Sequence, residues 1–276
     1  MIDAHCGAIG LLGANDHPII EAIPFHQKIA LIGGTRFFVF YACLFARSFK
    51  LNEWRQYTQI DQAPIQALSE KAHVSVYAFL NHRLQEIAKA QGLTTVSFLT
   101  KDIHVNPYFH GNRSPLCNPH LKGIISGMKL QDLDNIDRCA LYYLALCYDS
   151  LSILDTIKSR QIEIKAAFCT GGLSKNDLFV RLHADITQIP VVLPKVSDSV
   201  LVGGAVLAMV AHRTQTANIT IPLAFQTAMK AMNHASTVVE PSADEKLIRF
   251  HQCKYKVFRK MIDDFNLYDT IMSDCV

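Results

Sequence analysis

Three short segments of the sequence combine residue types that suit the binding or transfer of a phosphoryl group. Asp3 follows apolar residues and precedes small ones, so it would lie at the mouth of a sheet, where a carboxylate can accept a proton from a bound alcohol. The second segment is Gly33-Gly34-Thr35, whose backbone N–H groups and hydroxyl could bind a terminal phosphate. Both have structural alternatives. Asp3 could cap a helix that begins near Ala4, and the glycine pair could form an ordinary hairpin turn.

The third segment, Gly171 to Asn176, follows an apolar run and opens onto a helical pattern. Its glycine pair, Gly171 and Gly172, lets a flat ring or a phosphate approach the backbone closely. The helix N-terminus would add unpaired N–H groups and positive potential, while Lys175 and Asn176 add a cation and an amide. The spacing of a Walker phosphate loop is absent. A tight turn between strand and helix, without any ligand, is the alternative.

A fourth segment, Phe109 to Pro115, favours a structural role. Asn112 and Arg113 lie in a loop rich in proline and glycine, where side chains often satisfy the loop's own backbone groups. His110 fits a hydrogen-bonded core histidine equally well.

Strand and helix patterns alternate around these segments, which predicts an α/β protein. The glycine pair at 171–172 would follow a strand, where open α/β sheets bind ligands. We expect one domain, 1–276, with a helical tail over about 213–276. The predicted strands are two around the turn at 33–35, then 94–99, 162–170 and 190–193. The predicted helices are 67–91 in two pieces, 132–160, a helix capped by Ser174 and running to about Ile186, 199–212, 224–233 and 244–272.

Composition excludes several classes of protein. The chain has 276 residues, 50% of them hydrophobic and 18% charged, so it can bury a core. The net charge of +3 without a block of Lys or Arg argues against a nucleic-acid partner. The longest apolar stretch, Ile29 to Ala46, has Arg36 near its middle and therefore does not predict a membrane span. The eight cysteines form no C-x-x-C pair and no secretory segment is present, so we expect a cytoplasmic protein with reduced thiols and no metal bound by clustered side chains.

Taken together and in order, these segments resemble one family, the FGGY carbohydrate kinases, in their C-terminal domain and nearest to the ribulokinase-like members. The resemblance covers nearly the whole chain and is most specific at 109–115 and 169–211. The segments that carry it are IDAHCG (2–7), GGT (33–35), LNE (51–53), FHGNRSP (109–115), FCTGGLSKNDLFVRLHADIT (168–187) and SVLVGGAVLAMVA (199–211).

The resemblance implies a ribonuclease-H-like domain of the actin and hexokinase type, which holds ATP, with Mg²⁺ on its phosphates, against a sugar. The implied reaction is ATP-dependent phosphoryl transfer to an alcohol group of a ketopentose such as D-ribulose. Such transfer depends on in-line positioning and on a carboxylate near the attacking hydroxyl. By position in the motifs, the resemblance assigns the catalytic base to Asp3, the γ-phosphate turn to Gly34 and Thr35, and the nucleotide turn to Gly171, Gly172, Lys175 and Asn176.

The sequence also departs from the family's pattern. The Asp-x-Gly-Thr phosphate loop of the family's N-terminal, sugar-binding domain does not occur. Arg36 follows Gly-Thr, and Trp54 and Arg55 replace two glycines after Leu-Asn-Glu. We therefore expect the N-terminal domain to be absent and the chain to be inactive alone, with that domain on another chain or a second copy of this chain as partner. The alternatives are a non-catalytic module that binds a nucleotide or a partner, and a truncated gene product.

Overall fold

The structure is a computed structural model that describes residues 3–14, 16–33, 63–108, 111–112, 115–127, 148–217, 219–273 and 275. The α-helices in these ranges are α1 (Asp3–Leu12), α2 (Pro18–Glu21), α3 (Ala63–Lys71), α4 (Val76–Ala90), α5 (Tyr148–Ser159), α6 (Asp177–Thr187), α7 (Ser199–Thr216), α8 (Ile221–Met232) and α9 (Glu245–Ser273). The strands are β1 (Lys28–Gly33), β2 (His104–Asn106), β3 (Ile124–Ser126), β4 (Ala166–Gly171), β5 (Val191–Pro194) and β6 (Ala235–Val239). Short 3-10 helices span Phe25–Gln27, Val96–Thr100 and Gly172–Lys175.

The chain divides into two compact units. The first comprises Met1–Arg47 and Leu154–Pro241, and the second comprises Ser48–Ile153 and Ser242–Val276. The first unit contains a four-stranded sheet of order β1-β4-β5-β6, in which β1, β4 and β5 are parallel and β6 is antiparallel to β5. The assignment of 1–276 to one nucleotide-binding domain remains a prediction.

Strand β4 lies at the centre of this sheet because its side chains are apolar on both faces. Residues 166–170 are all buried, as expected for a parallel strand covered on both sides. On one face, Phe168 belongs to a buried cluster with Leu11 and Ile20 from the α1–α2 region. On the other face, Cys169 belongs to a cluster with Val180 of α6. The sheet is therefore packed between helices, and β4 ends at the edge where its glycine pair begins.

The cap of α6 differs from the prediction. Asn176, and not Ser174, is the N-cap residue, since its side-chain oxygen accepts a hydrogen bond from the Phe179 N–H at 3.2 Å. The Ser174 hydroxyl instead donates to the Gly171 carbonyl at 2.7 Å, which stabilises the 3-10 turn before the helix. The helix ends at Gln188 in the left-handed conformation. Both residues are good caps by type, so residue type alone does not decide between them.

Two further expectations need correction. The predicted strand at 94–99 is the 3-10 helix Val96–Thr100, whose N-cap Thr95 accepts a hydrogen bond from the Ser97 N–H. Threonine side chains compete for backbone groups in this way and so break extended structure. The C-terminal region is helical in α8 and α9, but β6 lies between them and completes the sheet.

The second unit is mainly helical. Helix α4 begins at Ser75, whose hydroxyl accepts from the Ala78 N–H, and the β2–β3 hairpin pairs antiparallel. Helix α9 is 29 residues long and packs on this hairpin. Its Phe250 ring meets Phe98 edge to face, with the ring centroids 5.1 Å apart. Within the described ranges, no helix combines the length and apolar character needed to cross a membrane.

Of the other predicted elements, α5 is described only from Tyr148 to Ser159, and the strand expected after Gly34 lies outside the described residues.

Candidate functional site

Strands β1 and β4 end side by side at one edge of the sheet. They are parallel neighbours, and Gly33 is paired in register with Gly171. The two glycine segments that stand far apart in the sequence therefore start from adjacent positions. Gly34 and Thr35 lie outside the described residues, so their assignment to a γ-phosphate turn stays a prediction.

The turn after β4 is held by its own backbone geometry. Gly171 has φ of +94°, a conformation that side chains with a Cβ rarely adopt. The hydrogen bond from Ser174 to the Gly171 carbonyl then closes the Gly172–Lys175 turn. Glycine at 171 is thus required by the fold itself, whether or not a ligand binds.

Gly172 differs from its neighbour because it faces open space. A Cβ added at Gly172 would meet no heavy atom within 4 Å, and the residue is exposed. No packing reason within the described residues therefore excludes a side chain here. Absence of a side chain leaves the backbone accessible to a flat or anionic ligand.

The start of α6 supplies the polar groups of this turn. Asn176 is only 1% exposed, and its side-chain oxygen is engaged in the helix cap. Lys175 is exposed at the end of the 3-10 turn. The first N–H groups of a helix carry positive potential and favour anions, so this end of the sheet suits a ligand that combines a ring with phosphates.

Asp3 is the first residue of α1. Its place at the start of a helix tests neither the capping alternative nor the catalytic one, since its side chain lies outside the description. Helix α1 packs closely on α7: a Cβ on Gly10 would lie 2.6 Å from the Gly203 nitrogen, and one on Gly203 would overlap the Cys6 carbonyl.

Two titratable groups next to the turn stay neutral. Burial raises the pKa of Cys169 to about 12, so its thiol is not a nucleophile near neutral pH. Burial also lowers the pKa of His183 in α6 to about 4, even though its Nδ1 is 3.0 Å from the Phe179 carbonyl oxygen. Neither group can exchange protons usefully at pH 7.

The Phe109–Pro115 segment shows a structural role where it is described. Asn112 is buried, accepts from the Leu116 N–H at 2.9 Å, and donates its own N–H to the Asn118 carbonyl at 2.8 Å. Gly111 has φ of +80° and lies against Pro119. His110 and Arg113 lie outside the described residues.

Sequence reasoning missed one residue at this edge. Thr170, the last residue before the glycine pair, donates its hydroxyl to the Ser197 carbonyl at 2.7 Å. A polar residue at the end of the otherwise apolar run Ala-Ala-Phe-Cys was the available signal, because a buried hydroxyl needs a partner.

Among the described residues, no three Asp, Glu, His or Cys side chains gather to hold a metal ion. Mg²⁺ usually keeps several waters and reaches a protein through one or two carboxylates and the phosphates of a nucleotide. Mg²⁺ carried on the phosphates of a nucleotide would need no such cluster.

Comparisons with known proteins agree on one family. Residues 50–212 match the FGGY family of carbohydrate kinases, C-terminal domain. The FGGY carbohydrate kinase domain-containing protein of Homo sapiens is 38% identical over 308 residues, which cover 99% of this chain and 53% of the human protein. A D-ribulokinase of Saccharomyces cerevisiae is 32% identical over 145 residues, 51% of this chain and 20% of that protein. The chain thus spans about half the length of the human relative.

Among solved structures, a gluconate kinase from Lactobacillus acidophilus is similar with a TM-score of 0.62 and 14% identity, over 96% of this chain and 51% of that one. At such low identity the likeness shows the fold alone. The predicted ribonuclease-H-like α/β class is confirmed.

Proposed function

Because the chain belongs to the FGGY family of carbohydrate kinases, we propose that it carries the nucleotide-binding part of an enzyme that transfers the γ-phosphoryl group of ATP to a sugar hydroxyl. The family predicted from the six sequence segments is thereby confirmed. Since the chain spans about half of its human relative, the reaction itself, its acceptor and its partners are part of the proposal.

The observation that carries the proposal is the glycine turn at the end of β4. Gly171 takes a conformation that favours glycine, Gly172 leaves its backbone open, and α6 starts five residues later with its N-terminus toward the same turn. In this proposal adenosine lies against Gly171 and Gly172, Lys175 lines the same end, and the γ-phosphate lies near Gly34 and Thr35. Asn176, which is 1% exposed, acts on the site through its cap of α6. Asp3 takes the proton of the attacking hydroxyl.

A ketopentose such as D-ribulose is the acceptor we propose. Similarity to a yeast protein named D-ribulokinase supports it, but that similarity covers about half of this chain. Because the chain alone is expected to be inactive, the acceptor is tested after an N-terminal, sugar-binding domain has been supplied separately. ATP and Mg²⁺ are then offered with D-ribulose, D-xylulose, gluconate and glycerol in separate assays, and ADP release is measured. Release with gluconate or glycerol only would contradict the ketopentose assignment.

Nucleotide binding is tested first, by calorimetric titration of residues 1–276 with Mg²⁺·ADP. We expect saturable binding, and at least a ten-fold weaker affinity in Gly172→Val, because the added side chain fills the open space beside the turn. Gly204→Val is the matched control, since Gly204 also faces open space but lies in the middle of α7.

The outcomes of these titrations distinguish the proposed site from its alternatives. Absence of any ADP binding by the wild-type chain removes the nucleotide proposal, and unchanged binding by Gly172→Val moves the site away from this turn. Binding without phosphoryl transfer by residues 1–276 alone is the expected result, because the sugar-binding domain is absent. Transfer that stays absent after an N-terminal, sugar-binding domain is supplied separately would favour a non-catalytic nucleotide-binding module.

A further inference from the structure

We propose that Thr170 is a positioning residue for the nucleotide turn, acting through its hydrogen bond to the loop that precedes α7. This inference rests on the proposed function, because it concerns the same turn. Thr170 is the last residue before Gly171 and is 3% exposed. Its side chain points into the protein and cannot reach a nucleotide directly, so any effect on binding must pass through the backbone.

The hydrogen bond joins two loops at the same edge of the sheet. The Thr170 hydroxyl donates to the Ser197 carbonyl at 2.7 Å, and the Ser199 N–H donates to the same oxygen at 2.9 Å. A carbonyl oxygen has two lone pairs, so both are used. Ser199 is the first residue of α7 and is itself buried.

The Ser197 loop is anchored independently of Thr170. The Lys195 N–H donates to the His234 carbonyl at 2.8 Å, so the loop is tied to the start of β6. At its other end, α7 packs against α1 through Gly203 and Gly10. The loop is therefore a fixed reference to which Thr170 attaches the end of β4.

The turn is also joined to β1, where Gly171 is paired with Gly33, but the Thr170 hydrogen bond connects it to the loop before α7. Gly171 has a positive φ, and a Cβ added at Gly172 would meet no heavy atom within 4 Å. The Ser174 hydroxyl bond lies within the turn and does not connect it to another element. Loss of the Thr170 hydroxyl would leave the turn folded but less well placed relative to α7, and positional freedom of a binding turn weakens binding because the ligand must order it.

Valine at position 170 would fill the same space in β4 but could not make the hydrogen bond to Ser197. Residues 166–169 are apolar and buried, and valine would fit the volume of Thr170 well. Threonine adds only a hydroxyl, and in a buried position that group is useful only if it is hydrogen-bonded.

The test compares Thr170→Ser, Thr170→Cys and Thr170→Val with wild type in Mg²⁺·ADP titrations, well below the melting temperature of each variant. We expect affinity to follow donor strength: near wild type for Ser, intermediate for Cys, and about ten-fold weaker for Val. Should the Val variant fail to fold, the Ser and Cys variants still give the order.

Thr100→Val separates positioning from stability. Thr100 is also 3% exposed and donates its hydroxyl to a carbonyl, that of Ser97, at 2.8 Å. It belongs to the second unit. We expect this control to lower the melting temperature much as Thr170→Val does, with unchanged ADP affinity.

If wild type binds ADP and all three Thr170 variants bind it equally well, the positioning role is wrong and the proposed function stands. If wild type binds no ADP, both are overturned. Weaker binding in Thr100→Val as well would show that general stability, and not the position of the turn, sets the affinity.

Discussion

Two adjacent glycines in α7 show how much a single residue's surroundings decide. Gly203 and Gly204 look alike in the sequence, yet a Cβ at Gly203 would overlap the Cys6 carbonyl of α1, whereas one at Gly204 meets nothing within 4 Å. Gly203 therefore allows α1 and α7 to approach closely. Gly204 only adds backbone freedom to the unfolded chain.

Alanine substitutions at these two positions should have opposite effects. Gly203→Ala should lower the free energy of unfolding by about 2 kcal/mol or more, because the helices must separate. Gly204→Ala should raise it by about 0.5–1 kcal/mol, since alanine favours the helix. Urea unfolding followed by circular dichroism measures both, and equal effects would contradict the close approach of α1 and α7.

At the scale of elements, one buried lysine attaches α9 to the rest of its unit. Lys254 donates to the Thr100 carbonyl at 2.7 Å and to the Ile103 carbonyl, and its Nζ lies 3.0 Å from His104 Nδ1. Thr100 ends the 3-10 helix and Ile103 precedes β2, so a side chain from α9 satisfies a helix end far away in sequence. Burial lowers the pKa of Lys254 to about 8, against the attraction of Asp102.

Replacing this lysine should loosen α9. We expect Lys254→Met to lower the free energy of unfolding of the second unit by about 2–4 kcal/mol, because buried carbonyls lose their donor. The control Lys256→Met, two residues along the same helix and exposed, should change it by about 0.5 kcal/mol at most. Hydrogen exchange of α9 provides a local readout, and equal protection in both variants would argue against the attachment.

At the scale of the whole molecule, buried ionisable groups make stability depend on pH. Burial lowers the pKa of His183 and of His251 to about 4 from the usual 6.5, with Lys254 adding to the effect at His251. Burial raises the pKa of Asp149 to about 7 from 3.8, although its hydrogen bond from the Tyr108 hydroxyl opposes the shift.

The signs differ between the two kinds of group. Between about pH 4 and 6.5 the unfolded chain binds a proton at each histidine, whereas the folded chain does not. The contribution of the two neutral histidines to the free energy of unfolding is therefore full above pH 6.5 and is lost as pH falls toward 4. Over about pH 3.8 to 7 the folded chain holds a proton at Asp149 that the unfolded chain releases. The contribution of protonated Asp149 to the free energy of unfolding is therefore lost as pH rises. The effect of the two histidines on stability is larger than the opposite effect of the one aspartate. Together these three groups therefore lower the free energy of unfolding as the solution is acidified.

Substitution of His183 isolates the contribution of one histidine to the pH dependence of stability. The difference in unfolding free energy between wild type and His183→Gln should change by about 1.4 kcal/mol per pH unit between pH 4 and 6.5, and little above pH 7. Denaturant titrations at a series of pH values measure it. The exposed His212 is the control, and a difference independent of pH in His183→Gln would contradict burial of the neutral imidazole.

Much of the fold follows from local patterns. Apolar periodicity located the helices that became α4, α7, α8 and α9 to within a few residues at most ends, and glycine pairs marked the end of β4. The same patterns were wrong about residues 94–99 and did not reveal β6. A short strand such as β6 carries little periodicity of its own and becomes a strand because β5 offers it hydrogen-bonding partners.

By itself, then, the sequence determined the α/β class, the family and the glycine segments, because these depend on neighbours along the chain. Tertiary structure alone decided that Gly33 and Gly171 lie side by side and that Thr170 reaches Ser197. It also decided which of two identical glycines must stay a glycine. The physical reason is that packing, burial and hydrogen-bond partners are set by residues tens to hundreds of positions apart, about which local composition carries little information.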